Sequence, residues 1–343
     1  MDRQALISVI VVNWNGRQFL KPCLDSLLAQ TYPYREMIVV DNGSTDGSVQ
    51  LLKAAYGERI TIIEQDRNYG FAKAVNRGIQ AARGACIALL NNDAIASPQW
   101  LAELVGGFLG DPMVGMCACK VLFCLETQRI NSAGNLLYPD GISARRGFGE
   151  LDTGQYERVE ETLFPDGSAA LYRRAMLDDV GAFDEQFFLY SEDTDLGLRG
   201  RLFGWTCLYV PTAAVYHVHS GTVNQLLTQK AFFVERNHCW LAVKLFPLPL
   251  LVLSPLFTLI RFVWNVRSVV SQKGSAGRFS AQYSKWTLVL ILAKAYLAAF
   301  RGLPAMVKKR RAIRRTKRLS DWEFIRLVYR FRVSAKELTL RDR

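Results

Sequence analysis

Over the first 125 residues the apolar positions come in two alternating rhythms. Ile7–Val12 (ISVIVV) is a short, nearly continuous apolar run, as expected of a strand buried on both faces. Leu20, Cys23, Leu24, Leu27 and Leu28 then recur at helical spacing, with Pro22 tolerable near that helix's first turn. Met37–Val40, Ile60–Ile63 and Cys86–Leu90 predict further strands, with a helix over Phe71–Arg83 between the last two. Ser97-Pro98 reads as a helix start, an N-cap followed by proline at the first helical position. This alternation predicts an α/β fold with a parallel sheet, in which ligands bind beyond the carboxyl ends of the strands. The polar clusters NWNG (13–16), DNGSTDGS (41–48) and NNDA (91–94) each follow such a strand end. Three of them at one sheet edge make a candidate site.

Residues 126–190 read as mixed loops and short elements, and a helical pattern returns over Glu192–Gly204. Past about residue 220 the chain changes character. Leu245–Ile260 (LFPLPLLVLSPLFTLI) has 16 residues without a charge, and Trp286–Phe300 is a second apolar stretch interrupted by Lys294. A spanning helix needs about 20 apolar residues. Both runs fall short, so they predict embedding in one leaflet. The change of character divides the chain into residues 1–222 and a helical, membrane-associating region, 223–343.

Charge sharpens that division. The chain of 343 residues carries a net +12, and residues 301–343 alone hold 15 Lys+Arg against 4 Asp+Glu. A nearly neutral body with a basic tail suggests two jobs for two parts. The segment KKRRAIRRTKR (308–318) has 8 basic residues in 11. Such runs also bind nucleic acid. Adjacent apolar segments favour an anionic membrane surface instead, and no nucleic-acid partner is expected. Half of the residues are hydrophobic, which excludes a disordered chain. Seven cysteines without a C-x-x-C pair fit neither a disulfide framework nor a zinc cluster, and favour a reducing cytoplasmic setting. The opening apolar run is too short for a signal peptide, so secretion is not expected.

The motifs NWNG, DNGSTDGS, NYGFAKAVNRG (68–78), LLNNDA (89–94), GAFDEQFFLYSEDTDLGLR (181–199) and VYHVHSG (215–221) occur in one order over residues 5–220. In this the chain resembles a family 2 glycosyltransferase of the GT-A fold, nearest the rhamnosyltransferase-like enzymes of bacterial polysaccharide assembly. The pair RN at 236–237 and the basic stretch from Arg301 extend the resemblance more loosely. It implies an inverting transfer of a sugar, such as rhamnose, from a nucleoside-diphosphate sugar to a lipid-linked glycan. The setting it implies is the cytoplasmic face of a bacterial cell membrane, in peripheral or monotopic attachment.

By the same resemblance, Val12, Asn13, Asp41 and Asn42 hold the base and ribose. Asn68, Gly70, Lys73 and Asn76 line the nucleotide and diphosphate, with Asn92 beside them. Asp93 falls on the last acid of the family's D-x-D motif, while Asn91 replaces the first. Together with His217, or alternatively His219, Asp93 would hold a divalent cation, Mg²⁺ or Mn²⁺. In the SEDTD segment, Asp193 falls on the base that takes the acceptor proton, with Glu192 its rival and Asp195 structural.

The residues themselves support part of this reading. Asp41 ends a buried strand, where an unpaired carboxylate is costly. Ser191 suits an N-cap and acids suit the first helical turn, yet three carboxylates at 192, 193 and 195 exceed what capping needs. Their mutual repulsion raises a pKa toward that of a useful base. Lys73 has an alternative as a solvated surface residue; Phe183, Phe187 and Phe188 wall the sugar pocket or fill core, with core the better expectation. Two rival functions are a nucleotidyltransferase, which would want a Gly-rich basic phosphate loop after the first strand, and a degenerate sugar-nucleotide binder docked on a membrane.

Overall fold

The computed structural model describes residues 4–218, 227–271, 274, 277 and 283–340. In chain order β1 (Ile7–Asn13), α1 (Arg17–Leu28), β2 (Arg35–Asp41), α2 (Ser48–Tyr56), β3 (Thr61–Glu64), α3 (Phe71–Ala81) and β4 (Cys86–Leu90) realise the predicted alternation. Then come β5 (Ala94–Ala96), α4 (Trp100–Gly107), β6 (Val114–Phe123), β7 (Ile130–Ser132), β8 (Asn135–Leu137), β9 (Ser143–Arg145) and β10 (Glu160–Thr162). The body closes with β11 (Ala169–Arg173), α5 (Arg174–Val180), α6 (Glu192–Leu202) and β12 (Thr206–His217). Helices α7 (Leu227–Leu245), α8 (Leu248–Ser271), α9 (Lys285–Thr316), α10 (Asp321–Arg330) and α11 (Ala335–Leu340) follow.

The sheet order is β10-β12-β6-β11-β4-β1-β2-β3, with β5 on β12 and β7 on β6. Only β3-β2-β1-β4 is the parallel sheet that the sequence predicts. Beyond β4 the sheet is mixed, because β11, from a stretch that reads as loops, inserts antiparallel between β4 and β6. Strand alternation divides the core. Val9, Val11, Val39 and Ala88 face α1, α2 and α4, whereas Ile10, Ile38, Val40 and Leu89 face α3 and α6.

Some predicted details shift. Pro22 lies in the second turn of α1 rather than the first. Ser97 and Pro98 form a turn ahead of α4, where the Ser97 carbonyl accepts from the Trp100 N–H and the Pro98 carbonyl from that of Thr31.

The C-terminal region departs further from the prediction. Trp240, Leu241, Leu245, Phe246, Leu250, Met306, Phe324, Val328 and Phe331 join the same hydrophobic cluster as Ile10 and Leu89. The body and the tail therefore share one core; the boundary predicted at 222/223 lies outside the described residues. Both apolar helices are also longer than their uncharged runs. α8 has 24 residues and α9 has 32, and both are long and apolar enough to cross a membrane by length and composition. Arg261 does not end α8, because it turns inward and pairs with Asp140 and Glu235 at 2.7 Å each. The buried positions of α8 (Leu250, Ser254, Arg261 and Ser268) form one stripe along its length.

The basic run is not a free polycation. Lys309 pairs with Asp184 at 2.6 Å, Lys317 with Asp321 at 2.9 Å and Arg318 with Asp179 at 2.9 Å. Arg314 also pairs with Asp321, and Arg310 donates to the Val243 and Phe246 carbonyls. Lys308, Arg311 and Arg315 are exposed and share one helical face by their spacing.

Candidate active site

The parallel register of β1 and β2 sets Asn13 directly beside Asp41 at the strand ends. Asn13 Nδ2 donates to Asp41 Oδ2 at 2.9 Å and to Ser44 Oγ at 3.1 Å, and Asn13 Oδ1 accepts from Asn92 Nδ2 at 2.8 Å. A Cβ at position 16 would lie 2.1 Å from Asn92 Nδ2, so glycine there leaves room for the Asn13–Asn92 bond. Asp41 Oδ1 accepts from the Ser44 N–H at 2.8 Å. Its carboxylate is thus partnered within the protein, contrary to the unpaired state that the sequence argument supposes. Val12 is half-buried on β1.

Asn42 and Asn68 lace two loops together. Asn42 Nδ2 donates to Asn68 Oδ1 at 3.0 Å, Asn42 Oδ1 accepts from the Tyr69 N–H, and Asn68 Oδ1 also accepts from the Gly70 N–H. The Lys73 ammonium sits 4.2 Å from the Tyr69 ring centroid, which holds it over this loop. Asn76 is placed differently from the expectation that it faces the nucleotide. Its Nδ2 donates to the Phe183 carbonyl and Glu185 Oε1, and its Oδ1 accepts from the Phe183 N–H. Both ends of that amide are spent on the 183–185 segment, because helix α3 packs against it.

After β4 the turn 91–93 leads into β5, whose antiparallel register on β12 sets Ala94 opposite His217. Asp93 Oδ1 and His217 Nε2 are consequently 3.1 Å apart, and both side chains are buried. Among the described residues, no group of three or more His, Cys, Asp and Glu side chains is arranged to hold a metal ion alone. One carboxylate and one imidazole nitrogen nevertheless fit a cation whose other positions are taken by phosphate oxygens and water. His219 lies outside the described residues.

The acidic segment opens α6 as predicted, with Glu192, Asp193 and Asp195 in its first turn. Ser191 occupies the N-cap position, but in a left-handed conformation that makes no side-chain cap. Phe188 (φ 64°), Tyr190 (φ 66°) and Ser191 (φ 66°) all adopt this region, at a cost of about 1–3 kcal/mol each. Two elements hold them there. The fully buried Asn237 of α7 donates to the carbonyls of Phe187, Leu189 and Tyr190 at 2.7–3.1 Å. The Phe71 N–H at the start of α3 donates to the Phe188 carbonyl at 2.7 Å. At Gly70 a Cβ would lie 2.5 Å from the Phe188 ring.

The three acids then diverge in environment. Asp195 is fully buried and pairs with Arg199 at 2.8 Å and Lys244 at 2.6 Å. Asp193 is half-buried; its Oδ2 accepts from the Gly167 N–H at 3.1 Å and its Oδ1 from the Thr194 N–H at 2.6 Å. Burial, and then the charge of Asp166, push the Asp193 carboxyl up. Glu192 is buried, with no hydrogen-bond partner for Oε2 among the described residues. Burial and the neighbouring Asp193 charge push it up as well.

Asp166, Arg145 and Asn237 were not singled out by the sequence reading as part of this site. Burial alone would raise the Asp166 carboxyl, but Arg145 Nε at 2.6 Å and the Ser168 bonds outweigh it and hold it at about 2. Asp166 is therefore a fixed anion within electrostatic reach of both Asp193 and His217. Its segment, PDGS, carries only a turn signal in the sequence.

The sheet, with its polar strand ends gathered at one edge, is of the type shared by GT-A glycosyltransferases. The chain belongs to glycosyl transferase family 2, whose model matches residues 8–181. It is 32% identical over 225 residues to the O-antigen biosynthesis protein RfbC of Myxococcus xanthus, covering 63% of this chain. It is 30% identical over 240 residues to an N-acetylglucosaminyl-diphospho-decaprenol L-rhamnosyltransferase of Mycobacterium tuberculosis, covering 62% of this chain and 76% of that protein. The match spans only 17% of the length of RfbC and 25% of the protein y4gI of Sinorhizobium fredii. Among solved structures, the mannosyltransferase PcManGT from Pyrobaculum calidifontis, in complex with GDP-Man and Mn²⁺, superposes with a TM-score of 0.54 at 19% identity. That match covers 91% of this chain and 86% of PcManGT. S. aureus TarS 1–349 gives 0.55 at 18% identity, covering 95% and 91%.

Proposed function

We propose that this chain transfers a sugar, with rhamnose the leading candidate, from a nucleoside-diphosphate donor to a hydroxyl of a lipid-linked glycan, in one displacement with inversion. The observation that carries this reading is the shared anion Asp166. It interacts electrostatically both with a half-buried raised carboxyl, Asp193, and with His217, the partner of Asp93 at the strand ends.

In this reading Asp193 takes the acceptor proton. Each of its oxygens accepts bonds from the protein and retains lone-pair capacity for a hydroxyl. Glu192, buried beside it, keeps its own proton and does not add a second charge. Asn13, Asp41, Asn42, Asn68, Gly70 and Asn92 shape the cradle for the nucleotide against Val12, and Lys73 offers a cation to the diphosphate. Asn76 acts by positioning the 183–185 segment. A divalent cation, Mg²⁺ or Mn²⁺, held by Asp93 and His217 would neutralise the departing diphosphate. The Mn²⁺ bound in the PcManGT structure and the decaprenol-linked substrate in the mycobacterial protein's name support these two parts of the reading.

The test is release of nucleoside diphosphate from a panel of nucleotide-sugars. Excess chelator should abolish it and Mn²⁺ or Mg²⁺ should restore it. Asp93→Ala should lose both turnover and Mn²⁺ binding, followed by electron paramagnetic resonance, with the thermal midpoint retained. Full activity in excess chelator refutes the cation assignment.

For the membrane we infer peripheral or monotopic attachment at the cytoplasmic face. The inward stripe of α8 ties that helix to the body along its length, which supports seating in the plane of one leaflet over crossing. Exposed Trp286, Leu290, Leu297 and Phe300 on α9 lead into the basic face of Lys308, Arg311 and Arg315. Each such cation contributes about 1 kcal/mol near an anionic surface. Reversing all three to Glu should weaken partition onto phosphatidylglycerol vesicles by at least about 10²-fold at low salt, with little change on neutral vesicles. Unchanged co-sedimentation would remove this face from the attachment surface.

A further inference from the structure

Helices α7 and α9 pack tightly at one end and part at the other. Trp240 Nε1 donates to the Ala299 carbonyl at 2.9 Å, and a Cβ on Gly302 would lie 2.4 Å from the Trp240 ring. Toward their N-terminal ends the two helices flank an open groove of about 580 Å³, lined by Phe188, Phe232, Phe233, Thr287, Ile291 and Lys294 among others.

Four features indicate what it takes. Its walls are largely apolar, and α9 lines it with the positions 287, 291 and 294 of one helical face. Flanking that face, Trp286, Leu290 and Leu297 are exposed, so the groove opens onto the surface assigned above to the membrane. Part of its wall is Phe188, from the loop that leads into Asp193. Phe188 stacks on Phe233 at 5.3 Å and 20°, and the same left-handed segment runs on into Asp193. Lys294, exposed and the one charge in 286–300, supplies a cation at the slot.

We propose that this slot binds the lipid part of the acceptor: a single linear isoprenoid chain, with its phosphate linkage at Lys294 and its sugar directed along the Phe188 loop toward Asp193. The assignment rests on the proposed transfer to a lipid-linked glycan. Continuity of the slot with the catalytic loop favours the acceptor's chain over bulk phospholipid.

The test uses the full-length protein in nanodiscs and a farnesyl phosphate probe carrying a diazirine on its chain. Crosslinks should map to 228–233 and 287–294. Ile291→Trp, which fills the slot, should lower that labelling at least about tenfold, and Thr287→Trp is a second filling variant should the first not fold. Lys294→Glu should weaken labelling by the phosphate probe and spare the farnesol analogue. Labelling spread over the outer faces of α8 and α9, unchanged in both tryptophan variants, overturns the proposal. So does equal competition by phosphatidylglycerol, which would make the slot part of the general membrane seat. Release of nucleoside diphosphate from donor, assayed in parallel, separates the two readings. If the probe labels the slot but no donor is turned over, the function fails and the lipid site stands. If donor is turned over and the slot is not labelled, the reverse holds.

Discussion

Asp193→Asn is expected to lower turnover by roughly 10²–10⁴, the range credited to a general base, while donor binding and the thermal midpoint are retained. The amide keeps one acceptor oxygen, for the Gly167 or the Thr194 N–H, and gives up the other accepted bond together with the capacity to take a proton. The pH profile carries the same claim. Because burial and Asp166 raise the Asp193 carboxyl, the base is protonated, and activity is lost, as pH falls through a value above the ordinary carboxylate range of about 4. Asp166→Asn removes the neighbouring anion, so this acid limb should move to lower pH. Glu192→Gln should keep most of its turnover, since Glu192 is already the proton-holding partner. Loss of turnover in Glu192→Gln with an active Asp193→Asn would transfer the role to Glu192.

Truncation after residue 226 is expected to leave no folded protein. It removes nine large side chains from the shared core, from Trp240 to Phe331. The body surface they cover becomes exposed, and at about 1.5–3 kcal/mol for each side chain the lost burial is comparable with the roughly 5–15 kcal/mol by which a domain is stable. It also removes Asn237, which holds three carbonyls of the strained loop before Asp193, and Lys244, which neutralises Asp184 and Asp195. The check is a thermal melt and nucleotide binding of the 1–226 fragment. A cooperative transition with wild-type nucleotide affinity would restore the picture of a separable tail.

What could be read from the sequence follows the range of the forces involved. Strand and helix periodicity is local, so β1 to β4 and the polar clusters at their ends were legible, and register then placed Asn13 beside Asp41. The crowding of 192, 193 and 195 was legible too, because repulsion among neighbours in one turn needs no tertiary information. Asp166 was not, since its significance depends on Arg145, 21 residues away, and on Asp193, which come together only when β11 inserts beside β4. Asn76 shows the same limit from the other side. Buried amide chemistry demands partners, but the sequence does not say whether they are a nucleotide or the backbone at 183. The pairing within the basic run is hidden for a related reason: counting charges cannot reveal that Asp184, Asp321 and Asp179 fold back onto part of it. The first uncharged run ends at Ile260, but the pairing of Arg261 with Asp140 and Glu235 lets α8 continue through it.

The most direct test of the account is the anomeric configuration of the product. Nuclear magnetic resonance of the disaccharide linkage, formed by purified full-length protein from a nucleotide-sugar of known configuration, reports it in one experiment. A single displacement assisted by Asp193 predicts the opposite configuration to the donor, with no product from Asp193→Asn on the same time scale. A product that retains the donor's configuration would contradict it.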